Sequence, residues 1–166
     1  MDGLKTPEQR GELARDYFYK GYNCTQAVAL AFADVTGLNE EQLMKVACSF
    51  GGGMGRLREV CGAFSGMLIV LGLAEGYSGP EKGQVKADHY KKVQQLAAEF
   101  ERRNGGLVCR ELLGLGDGRK KDDPVPEPRT PEYYKKRPCP EIIANAAEIL
   151  AEFFESEKLA QNSVNL

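Results

Sequence analysis

Val60-Cys61-Gly62-Ala63-Phe64-Ser65-Gly66-Met67-Leu68-Ile69-Val70-Leu71-Gly72-Leu73 is the stretch on which the fold of this chain turns. It is the most apolar segment of the sequence. It is too short to cross a bilayer, which takes about 20 apolar residues, and it has the length of a helix enclosed by other helices. The spacing predicts a helix over 59–73 that closes at Gly76. Gly62 and Gly66 lie four apart and therefore on one face, where a second backbone or a bulky cofactor could approach closely. Each glycine inside a helix costs about 1 kcal/mol against alanine, so tight packing against that face is expected.

Outward from this segment, helix signals recur and strand alternation is missing. Thr6-Pro7-Glu8-Gln9 supplies an N-cap, a proline at N1 and a glutamine at N3, followed by the apolar stripe Leu13, Ala14, Tyr17 and Phe18. Asn23 with Gln26 has capping-box spacing. The helix it opens is apolar on most sides, through Ala27, Val28, Leu30, Ala31, Phe32 and Val35, and stops at Gly37. Asn39 with Gln42 repeats the signature ahead of Leu43, Val46 and Ala47. The run Gly51-Gly52-Gly53-Met54-Gly55 cannot remain helical cheaply. On the other side, an amphipathic helix is predicted from about Pro80 to Asn104, with Val93, Leu96, Ala97 and Phe100 inward. A short helix covers 109–113. Residues 116–129, charged and proline-rich, should form an exposed, partly extended connection. Thr130-Pro131-Glu132 restarts a short helix. The last helix begins at Pro140 with Ile142, Ile143, Ala146, Ile149, Leu150, Phe153 and Phe154 on one broad face, and frays after Lys158. The class is all-α: a compact bundle of about five main helices, with a proline-rich loop before the last.

With 166 residues, the whole chain reads as one domain, large enough to bury about 70% of its unfolded surface. A core of that size needs no disulfide staples. A net charge of -2, with basic and acidic residues interleaved, gives no electrostatic case for nucleic acid. No secretory signal pattern and no membrane span are visible, so a cytoplasmic location is the expectation. Cysteine clusters there bind metals or do chemistry more often than they form static disulfides. The broad apolar faces are compatible with a homodimer.

Four of the five cysteines stand where helices are predicted to begin. Cys24 falls in the first turn after Asn23. Cys61 opens the apolar run, Cys109 follows Gly105-Gly106, and Cys139 takes the N-cap position before Pro140. Unpaired N–H groups and the positive dipole end at such places favour thiolate over thiol. The fifth, Cys48, lies near a helix C-terminus among Val46, Ala47 and Phe50, and reads as a small core hydrophobe. The four are dozens of residues apart and the chain has no CxxC. Zinc ribbons, ferredoxin loops and thioredoxin motifs take two sulfurs from one turn, whereas here each would come from a different helix. The only histidine, His89, sits at the edge of an apolar stripe as a partly covered surface residue, so a Cys/His dyad is not expected. The glycine run lacks the Gly-Lys-Ser/Thr ending of a phosphate loop. Arg119-Lys120-Lys121-Asp122-Asp123 reads as a solvated mixed-charge loop, and Tyr17, Tyr19 and Tyr22 as packing residues.

At these residues the chain resembles the C_GCAxxG_C_C family, whose members are described as redox-active. The resemblance runs through Gly21-Tyr22-Asn23-Cys24, Phe50-Gly51-Gly52-Gly53-Met54-Gly55, Cys61-Gly62-Ala63-Phe64-Ser65-Gly66, Cys109-Arg110-Glu111-Leu112-Leu113-Gly114 and Cys139-Pro140. It implies that Cys24, Cys61, Cys109 and Cys139 are the functional cysteines and leaves Cys48 outside the pattern. Similar domains occur in split-Soret-type cytochromes, but no CxxCH is present for covalent haem attachment. The leading expectation is an iron–sulfur cluster, of the [2Fe–2S] kind, ligated by the four thiolates beside Gly62 and Gly66 and serving electron transfer with a redox partner protein. Two alternatives stay open: reversible thiol–disulfide chemistry among the same four residues, and a structural zinc site.

Overall fold

The computed structural model describes residues 5–80, 83–116 and 122–164. Helices α1 (Pro7–Tyr19), α2 (Cys24–Leu30), α3 (Ala33–Thr36) and α4 (Glu40–Ala47) are followed by a 3-10 turn and by α5 (Gly51–Met54). Then come α6 (Gly62–Glu75), α7 (Gln84–Asn104), α8 (Cys109–Leu112), α9 (Pro131–Lys136) and α10 (Cys139–Val164). Among the described residues the only strand-like pairing is one antiparallel bridge, Val60 with Val108. The all-α class holds, but the architecture differs from a bundle of about five main helices. Four helices exceed ten residues, and short segments between them turn the chain toward one end of the molecule.

The local signals act as their chemistry dictates. Thr6, Asn23 and Asn39 each accept a hydrogen bond from the N3 backbone, while Gln9, Gln26 and Gln42 return the bond to the cap. The apolar α6 is sheathed by the rest of the bundle, with Ala63, Phe64, Met67, Val70 and Leu71 buried. It packs against α2, whose Ala27, Val28, Ala29 and Leu30 are buried on nearly every side. The predicted face of α10 closes the core with Ile142, Ile143, Ala146, Ile149 and Leu150. That helix lies along α1 and turns its flank to α7. From α7 only Leu96 and Phe100 are buried. No helix among the described residues is long and apolar enough to cross a membrane.

Several expectations are corrected. The helix opened by Asn23 does not run on to Val35; it breaks at Ala31 and Phe32 and resumes as α3. The cause is non-local. Arg10, buried within α1, donates from Nη1 to the Ala31 carbonyl at 2.5 Å and grips both Asp34 carboxylate oxygens. Its guanidinium also lies 4.6 Å from the Phe32 ring centre. The oxygen it takes is the acceptor that a continuous helix would offer to Val35. The helix expected from Glu59 starts instead at Gly62, and the one expected from about Pro80 starts at Gln84. The C-terminal helix begins at Cys139 and continues past Lys158 to Val164 rather than fraying there. Of the connection over 116–129, residues 117–121 lie outside the described residues. The remainder is extended and largely exposed, but it is ionically docked onto the body of the protein.

Candidate functional site

The four cysteines at predicted helix starts are carried to one place. Cys24 is the first residue of α2, Cys109 the first of α8, Cys139 the first of α10, and Cys61 is the N-cap of α6. Cys139 was expected at the cap itself. The Ile142 N–H bonds the Pro138 carbonyl, which moves the cap back one residue. All four line a single cavity of about 460 Å³.

Each wall has a local reason. The Asn23–Gln26 box fixes Cys24, and the Asn23 Nδ2 donates to the Cys48 carbonyl at 3.0 Å. Thr25 Oγ1 donates to the Gly62 carbonyl at 2.8 Å, pinning α2 to the start of α6. A Cβ on Gly62 would stand 2.3 Å from the Cys24 sulfur, and one on Gly66 would stand 2.9 Å from the Thr25 carbonyl oxygen. Gly62 therefore lets the Cys24 sulfur lie beside the backbone next to Cys61, whereas Gly66 serves contact between the helices and does not line the cavity. Cys61 and Cys109 are held as a pair by the bridge at Val60 and Val108. The Cys61 N–H donates to Leu107 at 2.8 Å and the Cys109 N–H to Glu59 at 2.6 Å.

The glycine run forms another wall in an unusual conformation. Gly52, Gly53, Met54, Gly55 and Arg56 have φ of 66°, 65°, 64°, 59° and 71°, a left-handed turn of five residues, and Arg58 follows at 61°. L-residues in this region cost on the order of 1–3 kcal/mol each and persist where the surroundings impose them. Four hydrogen bonds hold the turn: Gly55 N to Gly51 O, Leu57 N to Met54 O, Arg58 N to Gly52 O, and Glu59 N to Gly53 O. Its outcome is to deliver Arg58, buried, beside Cys109. The Arg58 Nη1 lies 3.9 Å from the Cys109 sulfur and its Nε donates to Asp122 at 2.6 Å.

Cations crowd this cavity. Among the described residues, Arg56, Arg58, Arg129 and Arg137 all line it, against the single lining carboxylate of Glu127. Arg129 is caged by Phe18, Tyr133 and Tyr134, with its guanidinium 4.3, 5.0 and 5.9 Å from their ring centres. Arg137 pairs with Glu127 at 2.9 Å and stacks over Tyr133. Asp122 and Asp123, expected to be solvated, instead dock the extended segment. Asp122 holds Arg58, and the Asp123 carbonyl accepts from the Arg56 Nε at 2.5 Å. None of these arginines was singled out from sequence. The available signal was a basic residue two or three positions before a cysteine, Arg58 before Cys61 and Arg137 before Cys139, which is too common to stand alone.

Three of these thiols, Cys61, Cys109 and Cys139, do not ionise in the sense expected of helix starts. Burial pushes Cys61 well above the ordinary thiol range, the neighbouring Cys24 adds to the shift, and hydrogen bonds from the Ala63 and Phe64 backbone only partly oppose it. Burial raises Cys109 too, against the pull of Arg58. Burial and Cys24 push Cys139 up to about 12, against Arg137. The magnitudes explain the outcome. Desolvation moves a fully buried group by up to about 3–5 pKa units, whereas a helix end contributes about 0.3–1 kcal/mol, below one unit. Without a bound cation the buried thiols are protonated.

Cys48 also departs from expectation. It is exposed rather than buried, because α4 ends there and the 3-10 turn swings its side chain to the rim of the same cavity. All five cysteines are free thiols. Among the described residues no group of three or more His, Cys, Asp or Glu is placed to hold a metal ion. The sulfurs surround a space and do not converge on a point. His89, half-buried, packs edge-on against Tyr77 away from this cavity.

Comparison with known proteins agrees with this layout. A family model described as a putative redox-active protein, C_GCAxxG_C_C, matches residues 22–153, the span from just before Cys24 to beyond Cys139. No curated protein and no solved structure matches.

Proposed function

The chain belongs to the C_GCAxxG_C_C family of redox-active proteins, and from that premise we propose that Cys24, Cys61, Cys109 and Cys139 together hold a small iron–sulfur cluster, of [2Fe–2S] size, for electron transfer. The observation that carries this reading is that four sulfurs from four helices line one cavity rather than one point. A lone tetrahedral zinc needs every sulfur about 2.3 Å from the metal, a tighter gathering than the side chains adopt. A cluster distributes its protein ligands around a larger inorganic core.

The electrostatics favour the same assignment. Buried, protonated thiols are slow nucleophiles, which weighs against rapid disulfide exchange, but they lose their protons when a metal centre binds. The cluster would supply one-electron redox chemistry. The contribution of this chain is to hold the sulfurs in a largely buried cavity, to offset their negative charge with Arg58, Arg129 and Arg137, and to direct the Ala63 and Phe64 N–H groups at the Cys61 sulfur. Such cations and hydrogen bonds stabilise the reduced, more negative state and raise the potential. A redox partner protein and a reducing, cytoplasmic setting belong to the same proposal.

One observation favours a second reading. The Cys24 sulfur lies against Gly62, so Cys24 and Cys61 are the pair best placed for a reversible disulfide. Iron and inorganic-sulfide content, with the visible spectrum of protein prepared without air, separates the two. Iron and sulfide with visible charge-transfer bands are expected. A colourless, iron-free protein whose thiol count changes between reducing and oxidising buffers would transfer the function to the disulfide.

A further inference from the structure

Cys48 is the one cysteine outside the four-sulfur set, and it lines the same cavity from the exposed side. Cys61 and Cys109 are each 8% exposed, and Cys24 and Cys139 are half-buried. A reagent entering from solvent therefore meets Cys48 first. Its thiol donates to the Lys45 carbonyl at 3.2 Å. Behind it lies a partly open cavity of about 460 Å³ lined, among the described residues, by four guanidiniums and one carboxylate. Counting the nearby Asp122, which pairs with Arg58 and Arg56, the acids still fall short of the cations. An exposed cysteine at the mouth of a cavity lined by four guanidiniums is a receptor for a small sulfur compound bearing negative charge.

We propose that Cys48 is a site of mixed-disulfide formation with small carboxylate-bearing disulfides, whose carboxylates are drawn to Arg56, Arg129 and Arg137. The step balances without a metal. The Cys48 thiolate attacks one sulfur of RS–SR, the S–S bond breaks, and a Cys48–S–S–R bond forms. RS⁻ leaves and takes up a proton from water. The incoming disulfide is the oxidant: one of its sulfurs is reduced to the released thiol while the Cys48 sulfur is oxidised into the new bond. This assignment does not rest on the cluster reading, since it concerns the metal-free chain and a cysteine outside the four.

The test compares two disulfides of opposite charge, oxidised glutathione and cystamine, on metal-free protein at pH 8, with adducts located by peptide mass spectrometry. Rates on the urea-unfolded chain correct for intrinsic reactivity. The first adduct is expected on Cys48, with oxidised glutathione favoured over cystamine by about tenfold relative to the unfolded chain, the lower end of electrostatic steering in a charged cleft. Added salt should shrink that preference. Cys48→Ser should abolish the first adduct, and Arg56→Gln with Arg137→Gln should remove the charge preference while leaving Cys48 reactive. A first adduct on another cysteine overturns the proposal. So does a charge preference no greater than that of the unfolded chain.

Discussion

Arg58 and Cys109 meet across the cavity wall with the guanidinium Nη1 3.9 Å from the sulfur. The same guanidinium donates from Nε to Asp122 at 2.6 Å. Sulfur and carboxylate thus share one buried cation, and the charge available to Cys109 depends on how firmly Asp122 holds it. In the metal-free protein, Arg58→Met should raise the Cys109 titration midpoint further, because the cation that opposes burial is removed. Asp122→Asn should lower it. A shift of one unit is roughly a tenfold change in thiolate at a fixed pH below the midpoint. The pH dependence of Cys109 alkylation reads the midpoint, and movement of both variants in the same direction would refute the shared-cation arrangement.

The raised thiols impose a sign on stability. Below the ordinary thiol value of 9.0, folded and unfolded chains are both protonated and the contribution is fully present. Between 9.0 and about 12 the unfolded chain releases the Cys139 proton while the folded one keeps it, so stability of the metal-free protein falls as pH rises. The slope in this window is about 1.4 kcal/mol per pH unit for each such group. Urea unfolding between pH 8 and pH 10 should show the decline, and Cys139→Ala should make it shallower by that residue's share.

Gly62 and Gly72 occupy the same helix with opposite surroundings. A Cβ at Gly62 would meet the Cys24 sulfur at 2.3 Å and the Thr25 Oγ1 at 2.7 Å, whereas at Gly72 nothing lies within 4 Å. Gly62→Ala should therefore destabilise by about 1–3 kcal/mol through overpacking. Gly72→Ala should stabilise by about 0.4–1 kcal/mol through a less flexible unfolded chain. Equal effects in thermal unfolding would mean that α2 and α6 do not approach this closely.

The docked segment that begins at Asp122 should act as a removable cover. Pro124, Pro126, Glu127 and Arg129 line the cavity, and Asp122–Arg58 and Glu127–Arg137 tie the segment down. Partly exposed pairs of this kind contribute up to about 1 kcal/mol each. Asp122→Asn combined with Glu127→Gln should speed labelling of Cys24 and Cys139 by roughly tenfold with little change in melting temperature. Labelling that stays at the wild-type rate would show that access is governed elsewhere.

The features legible in the sequence were those written within a few residues of one another. The boxes at Thr6, Asn23 and Asn39, the apolar face of α10 and the non-helical glycine run all depend on neighbours close in the chain. The helix starts at four cysteines were legible for the same reason, within a residue or two. The failures share a different cause. The break at Ala31 is made by Arg10 from another helix, and Arg58 is buried because Asp122 reaches it across the fold. Cys48 sits in an apolar local context yet faces solvent, since α4 ends just before it and a 3-10 turn follows. The ionisation of the thiols was misread because a helix dipole can be inferred from sequence whereas depth of burial cannot.

Cys139 opens the helix that closes the bundle, and it follows Cys24 by most of the chain's length. During synthesis the amino-terminal sulfur therefore leaves the ribosome long before its last companion. A growing polypeptide displays its cavity thiols one after another and never as a set. A passing oxidant meets isolated cysteines at that stage, and the four-thiol cavity exists only in the finished molecule.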